Sequence, residues 1–431
     1  MHAERVYLDL CIRGILKVSA ASAISNPSGP QAVQAALKIP TAALITAIVN
    51  GCEGVSDLIF SPGRLPQVEV NGRLVGVNVA GLNVLTSADT ARIAADLLEQ
   101  SPNAAQMLKE QGAADLSYSI PQVSRFRTNI FRQRGTYAIV MRIIPSRIPT
   151  FDELMLPQEL KKIAFLKTGI VLVTGPAGSG KSSTLAAIID LINSTQAEHI
   201  ITIEDPIEFV HPHKKATIHQ RELYSDTFSF ASALRSALRQ APKVILVGEM
   251  RDKETIEIAL MAAETGQLVL STLHTIDAAK TVERILGAFP PSEQGAIRAR
   301  LAASFRYFVA QRLLPRKNRR GRVAVFEILK STLRTQSYIA RGESDGRSLA
   351  DAIRDGDQDG MQYFDGELEK FVRDGIIDLQ TALQYASNQD NLRLCLSDLA
   401  ADDTPGHGDP LPNVADLEKE IPTQSVPGTS R

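Results

Sequence analysis

One short run limits what this chain can fold into more than any other. Residues 171–183 read Val-Leu-Val-Thr-Gly-Pro-Ala-Gly-Ser-Gly-Lys-Ser-Ser. The apolar, mostly β-branched residues 170–173 suit a strand buried on both faces. Behind them stands G-x-x-x-x-G-K-S, and a helical run follows over 183–192. Gly175, Gly178 and Gly180 let the backbone turn so that its N–H groups point inward at phosphate oxygens. The helix start adds its partial positive charge to the same anion. In this pattern Lys181 reaches the β- and γ-phosphates, and the Ser182 hydroxyl ligates Mg²⁺. Pro176, Ala177, Ser179 and Ser183 complete the expected nucleotide-binding set. A Gly-rich turn with a chance lysine would not place strand, loop and helix in this order. The run implies binding of ATP or GTP.

The 431 residues suggest roughly two to three domains. An apolar fraction of 44% is enough for substantial cores, and a net charge of −1 gives no overall field toward nucleic acid or an anionic membrane. Cys11, Cys52 and Cys395 lie far apart without a C-x-x-C pair, which argues against a zinc site or a disulfide framework and fits a reducing compartment. No apolar run reaches the ~20 residues that span a bilayer. Residues 19–23 resemble a signal-peptide end. However, Arg13 and Lys17 interrupt the apolar core, and Glu4 and Asp9 are misplaced for one. The chain reads as cytosolic.

Residues 1–40 read as an N-terminal extension without an assignable role. From Thr41 the pattern is regular: a helix over 42–49, a strand over 55–60 and a hairpin over 68–75, turned by Asn71-Gly72. A helix capped by Ser87 follows over 87–98. Residues 114–120, 125–131 and 137–144 alternate as half-buried antiparallel strands. Together 41–145 form a mixed α/β domain. Arg125, Arg127, Arg132 and Arg134 crowd its last hairpin, either as a solvated face or as cationic fingers for phosphate.

After a stiff linker, 146–150, the texture changes to α/β alternation. Four apolar runs end on polar residues: 171–174 on the glycine-rich loop, 200–203 on Glu204, 244–247 on Gly248-Glu249, and 268–273 on His274. Such runs between helices imply a parallel sheet with helices on both faces. Ligands sit outside the carboxyl ends of such strands, so the acids and His274 converge on the phosphate loop. NTP hydrolysis needs positioning, charge neutralisation and a group that orients or deprotonates water. Glu249 stands where the Mg²⁺-holding acid belongs. Glu204 can serve as base or merely cap a helix before Pro206, and His274 can sense the γ-phosphate or bond an acid. Glu208 reads as a surface charge.

His211, His213 and His219 cluster without ligand spacing for a metal. Arg235 and Arg239 share a helix face toward phosphate or solvent. Residues 316–320 read as a basic loop between an apolar helix and residues 323–329, more in keeping with a solvated turn than a nucleic-acid patch. Closing helices are expected over 367–372 and 379–385. The Pro-, Gly- and Asp-rich residues 399–431 read as a disordered tail, which leaves 151–398 as the nucleotide domain with a helical C-terminal part.

With these residues in hand, the sequence resembles the secretion-ATPase superfamily, and within it the PilT-like retraction ATPases of type IV pili. The resemblance spans 41–394. It rests on Ile203-Glu-Asp-Pro-Ile-Glu-Phe209 (similar to the family's Asp box), Val247-Gly-Glu-Met-Arg-Asp252 (its Walker B), and Thr265-Gly-Gln-Leu-Val-Leu-Ser-Thr-Leu-His-Thr275 (its His box). The hairpin over 125–135 and Gly360-Met-Gln362 add to it. The resemblance implies a PAS-like N-terminal domain, a RecA-like P-loop NTPase domain with ATP between the two, and a homohexameric ring. It further implies Glu204 as general base, Glu249 as the Mg²⁺/water carboxylate, His274 as a nucleotide-linked switch, and Arg127, Arg132 and Arg134 as phosphate contacts. The implied activity is Mg²⁺-dependent ATP hydrolysis, coupled to pilin disassembly through an inner-membrane platform protein, with a paralogous ATPase as a further partner and no nucleic acid. The absence of a four-cysteine module points to the retraction branch. Four features depart from the family pattern: Gln267 in the His box, Ala241-Pro-Lys243 before the Walker B strand, Thr332-Leu-Arg-Thr335 in place of a retraction signature, and residues 1–40. They leave open an accessory paralogue of the PilU kind, a secretion-system ATPase of the same superfamily, or a nucleotide-binding ring subunit with little turnover.

Overall fold

The computed structural model describes residues 39–400, apart from short breaks at 71–72, 80–81, 83, 100, 146, 319–320 and 345–347. The expectations for most of residues 1–40, for the Asn71-Gly72 turn and for most of 399–431 lie outside the described residues. Among the described residues the chain packs as two compact units, 39–315 with 321–363, and 316–318 with 364–400. No helix among the described residues is long and apolar enough to cross a membrane.

The first sheet of the larger unit is built from β1 (Val55–Phe60), β2 (Gln67–Val70), β3 (Arg73–Gly76), β4 (Ala113–Ile120), β5 (Ser124–Gln133) and β6 (Thr136–Ile144). Their order is β3-β2-β1-β6-β5-β4, antiparallel throughout. Period-two alternation selects its faces. Along β5, Phe126, Thr128 and Ile130 are buried, while Arg125, Arg127 and Asn129 lie on the other face. The helices Thr41–Gly51 and Ser87–Leu98 supply Leu44, Ile45, Ile48, Ile93 and Leu97 to the same core as Phe126 and Ile130. The cap of the second helix is Thr86, one residue before the expected Ser87. Thr86 and Asp89 form a reciprocal capping box, which fixes the helix start better than a lone serine.

The second sheet holds β7 (Gly169–Thr174), β8 (His199–Glu204), β9 (Thr217–Glu222), β10 (Val244–Val247), β11 (Leu268–Leu273), β12 (Phe305–Pro315) and β13 (Arg322–Lys330). Its order is β13-β12-β7-β11-β10-β8-β9, parallel except for the β12–β13 pair. Each face carries its own core. Ile170 and Leu172 of β7 enter one, and Val171 and Val173 enter the other with Leu185, Ile188 and Ile192 of the helix Lys181–Thr195.

One expectation is overturned here: 305–315 is a strand, β12, and not an apolar helix. The helix Pro291–Ser304 runs directly into it. Phe305 and Phe308 join one core while Tyr307 and Val309 join the other. A strand buried on both faces loses the polar alternation that marks a half-buried one, and its apolar run then reads equally as a helix. The edge strand β9 carried no expectation. Its sequence, Thr-Ile-His-Gln-Arg-Glu, buries only Ile218 and Glu222.

In the smaller unit, helices Phe364–Arg373, Leu379–Tyr385 and Gln389–Cys395 are followed by Ser397–Ala400. The first two are the expected closing helices, with the first starting earlier, at Phe364. The last helix reaches into the stretch expected to be disordered.

Candidate nucleotide-binding site

The loop between β7 and the helix Lys181–Thr195 is held open by its backbone. Gly175 sits at φ +144°, where a Cβ would collide with the Gln311 carbonyl and stand 2.7 Å from Ser179 Oγ. Gly180, at φ +90°, immediately precedes the helix. Lys181 is buried, and its Nζ donates to the carbonyls of Gly175 (2.9 Å) and Pro176 (3.0 Å). Burial pulls its pKa down, and the Glu249 and Glu208 carboxylates oppose that fall. The loop is braced from behind by Gln311 of β12, a buried polar residue that sequence reasoning missed. Its Nε2 donates to Ser179 O (2.7 Å), and its Oε1 accepts from Thr184 Oγ1 (2.8 Å).

In front of the loop lies a cavity of about 530 Å³, within the size range of small-molecule sites. Ala177, Gly178, Gly180, Lys181, Ser182 and Ser183 line it together with Glu204, Glu249 and His274. Parallel strands bring them together. β8 ends on Glu204, β10 runs into Gly248-Glu249, and β11 runs into His274. The Glu249 turn is pinned at several points. Gly248 N–H donates to Ile203 O (2.7 Å), Thr272 Oγ1 donates to Gly248 O (2.6 Å), and Asp252 caps the next helix by accepting from Thr255 N (2.8 Å).

The two acids are held differently. Burial pushes Glu204 up from 4.5 to about 7, against hydrogen bonds from Thr202 Oγ1 (2.6 Å), Gln220 Nε2 (3.1 Å) and the Glu208 backbone. Glu249 experiences burial too. However, the hydrogen bond and charge of Arg251 (2.6 Å) and of His274 (Nε2 3.4 Å away) outweigh it and keep its carboxyl below the usual range. One carboxylate is thus poised near neutrality, and the other stays ionised.

A magnesium ion and the triphosphate fit this set on the chain's own features: a glycine cradle that a Cβ would fill, a helix start at Lys181, and an ionised acid, Glu249, lining the same cavity as the Ser182 hydroxyl. Gly175, Pro176 and Ser179 form the back of the loop without lining the cavity.

Other expected residues lie elsewhere. Every lining residue comes from 177–322, so no residue of 41–145 contributes, and Arg127, Arg132 and Arg134 are not among them. Arg127 acts only at a distance, lowering the pKa of Asp205, which burial raises more strongly. Arg132 lies over the Tyr137 ring, 5.9 Å from its centroid, and Arg134 sits in the β5–β6 turn at φ +47°. Strand alternation sends Arg127 and Arg132 to opposite faces, so sequence proximity did not make them one cluster.

Arg235 pairs with Glu254 and Arg239 with the Arg235 carbonyl, away from the cavity. Glu208 is exposed, as expected of a surface charge, yet it lines the cavity. The histidines form no metal-binding group among the described residues; His199 Nε2 meets His219 Nδ1 at 2.9 Å. His211 instead lines the cavity, buried and with its pKa lowered by burial to about 4.

Gln267 and residues 241–243 sit at the N-terminal ends of β11 and β10, on the sheet edge opposite the cavity. There Gln267 Oε1 accepts from Thr265 Oγ1 (2.8 Å), and Lys243 N–H donates to His199 O (2.9 Å).

Residues 98–383 match the family described as "Type II/IV secretion system protein". The Pseudomonas aeruginosa type IV pilus retraction ATPase PilT is 42% identical over 339 residues, covering 79% of this chain and 96% of that protein. The type IV pilus ATPase PilU of the same species is 38% identical over 344 residues, covering 80% and 88%. A crystal structure of the pilus retraction motor PilT with bound ADP superposes with a TM-score of 0.73 at 39% identity, covering 83% of this chain and all of that one.

Proposed function

Because the chain belongs to the type II/IV secretion system protein family, we propose that it is the ATP-hydrolysing motor of type IV pilus retraction. The observation that carries this reading is the convergence of Lys181, Ser182, Glu204, Glu249 and His274 on one cavity at the carboxyl edge of β7, β8, β10 and β11. The relatives named above support the pilus assignment, and PilT is the more similar of the two.

In this mechanism the loop N–H groups and Lys181 bind the substrate's β- and γ-phosphates. Ser182 and Glu249 would hold Mg²⁺, which would supply neutralisation of the phosphate charge. Glu204 accepts the proton of the attacking water, a task suited to a carboxyl titrating near pH 7. His274, 3.4 Å from Glu249, reports occupancy of the site to the segment that follows β11. The protein works as a homohexameric ring in the cytoplasm. It acts on an inner-membrane pilus platform protein, with a paralogous ATPase as a further partner and without nucleic acid. The departures at Gln267 and 241–243 lie on the far edge of the sheet and leave the hydrolytic set intact.

The test is deletion of the gene with twitching and secretion assayed, followed by complementation with the parent chain and with Lys181→Ala. Twitching restored by the parent and not by the variant supports the reading. Normal twitching in the deletion strain, with secretion lost, would refute it. Retraction restored by both chains would assign an accessory role that needs no turnover here.

A further inference from the structure

A line of polar contacts runs from the first sheet to the segment that follows Glu204. Its centre is Glu222, the last residue of β9, 4% exposed and absent from the cavity lining. Glu222 Oε2 accepts from Arg125 Nη2 (2.8 Å) and from the Ile207 N–H (3.1 Å), and Oε1 accepts from the Ser117 hydroxyl. Its own N–H is tied to Asp226 Oδ2 (2.8 Å). Ser117 and Arg125 come from the paired strands β4 and β5, so one hairpin presents both donors. Two residues earlier on the same side of β9, Gln220 Nε2 donates to Glu204 Oε1 (3.1 Å) and Phe209 O (2.8 Å). Its Oε1 accepts from His211 N (2.8 Å). Strand β9 therefore grips 204–211 along its length, and at Glu222 that grip extends to the first sheet.

We propose that Glu222 is a positioning residue for ATP hydrolysis: clamped by Arg125 and Ser117, it fixes the Ile207 backbone and so the direction in which Glu204 faces the cavity. Turnover then requires the β4–β5 hairpin to be seated on β9, and movement of the first sheet is transmitted to the catalytic segment through one carboxylate. This rests on the reading of Glu204 as the base. The physical reason is asymmetry. A buried carboxylate with three donors is satisfied in a single arrangement, whereas one that loses its guanidinium is left as a poorly compensated buried charge and draws in water or moves. Either response loosens the Ile207 amide.

The experiment uses the full chain with Arg125→Ala, Glu222→Gln and the exchange Arg125→Glu/Glu222→Arg, with Arg92→Ala, on the helix Ser87–Leu98 that shares a core with the same sheet, as a control. Two quantities are read: hydrogen exchange in the peptide spanning 205–209, and kcat with ATP affinity measured separately. Arg125→Ala is expected to raise exchange at Ile207 about tenfold and to lower kcat by a similar factor. ATP affinity should stay within about twofold, because the phosphate loop is untouched. The charge exchange should recover part of the loss, and Arg92→Ala should match the parent. Unchanged exchange and kcat in Arg125→Ala would overturn the proposal, as would a loss carried by ATP affinity. If Glu204→Gln keeps parental turnover, the base assignment fails, while the exchange result still decides whether Glu222 orders the segment.

Discussion

Glu204→Gln separates catalysis from stability at a single position. A carboxyl moved from 4.5 to about 7 by burial disfavours its ionised form by roughly 3 kcal/mol, at about 1.4 kcal/mol per pH unit. Because the folded pKa lies above the unfolded one, the sign is fixed. Below pH 4.5 both states are protonated and Glu204 costs nothing. Between 4.5 and about 7 the unfolded chain releases its proton first, so stability falls as pH rises. Above about 7 the full cost is present.

Glutamine cannot ionise, and its carbonyl still accepts from Thr202 and Gln220. The variant should therefore be more stable than the parent at pH 8, by up to roughly 3 kcal/mol, with the difference vanishing toward pH 4.5. At about 2–4 °C per kcal/mol for a domain of this size, the melting point should rise by several degrees at pH 8. Activity should move the opposite way, with kcat falling roughly 10²- to 10⁴-fold as expected on loss of a general base. In the parent, kcat should climb about tenfold per pH unit up to about 7 and then level off. Paired melts and turnover assays from pH 5 to pH 8.5 test this. A stability difference independent of pH, or a variant that keeps parental turnover, would refute the reasoning.

Gly175→Ala should abolish ATP binding in a fluorescent-nucleotide titration, since a Cβ at φ +144° meets the Gln311 carbonyl and forces the loop out of shape. Gln311→Ala leaves the buried Thr184 hydroxyl and Ser179 carbonyl without their partner. Thermal or urea unfolding should show a loss of about 1–3 kcal/mol, with ATP affinity down about tenfold. Gln267→His, just before β11, should change turnover by less than about twofold in the same ATPase assay, because that position lies on the opposite sheet edge.

What the sequence disclosed follows from burial. The runs at 170–173, 200–203, 244–247 and 268–273 are β-branched and bounded by polar residues, so the parallel sheet and the edge carrying Glu204, Glu249 and His274 were legible. Strand β12 was not, because Phe305 to Leu314 is apolar toward both cores. With it the loop brace at Gln311 was lost, although a glutamine within such a run was itself a signal of a buried hydrogen-bond partner. β9 was hidden for the opposite reason. Gln220 and Glu222 face neighbouring backbone rather than core, so their strand shows no hydrophobic period. The arginines of the β5–β6 hairpin mark the limit of reading by proximity. Arg125, which reaches Glu222, was the one set aside, while Arg127, Arg132 and Arg134 do not line the cavity.

Whether this cavity hydrolyses ATP is decided by steady-state ATP turnover of the purified chain beside Lys181→Ala and Glu249→Gln. Mg²⁺-dependent hydrolysis by the parent is predicted. Lys181→Ala should be inactive for want of binding, and Glu249→Gln should bind ATP without turning it over. A parent that binds ATP with no measurable turnover, or variants as active as the parent, would contradict the account.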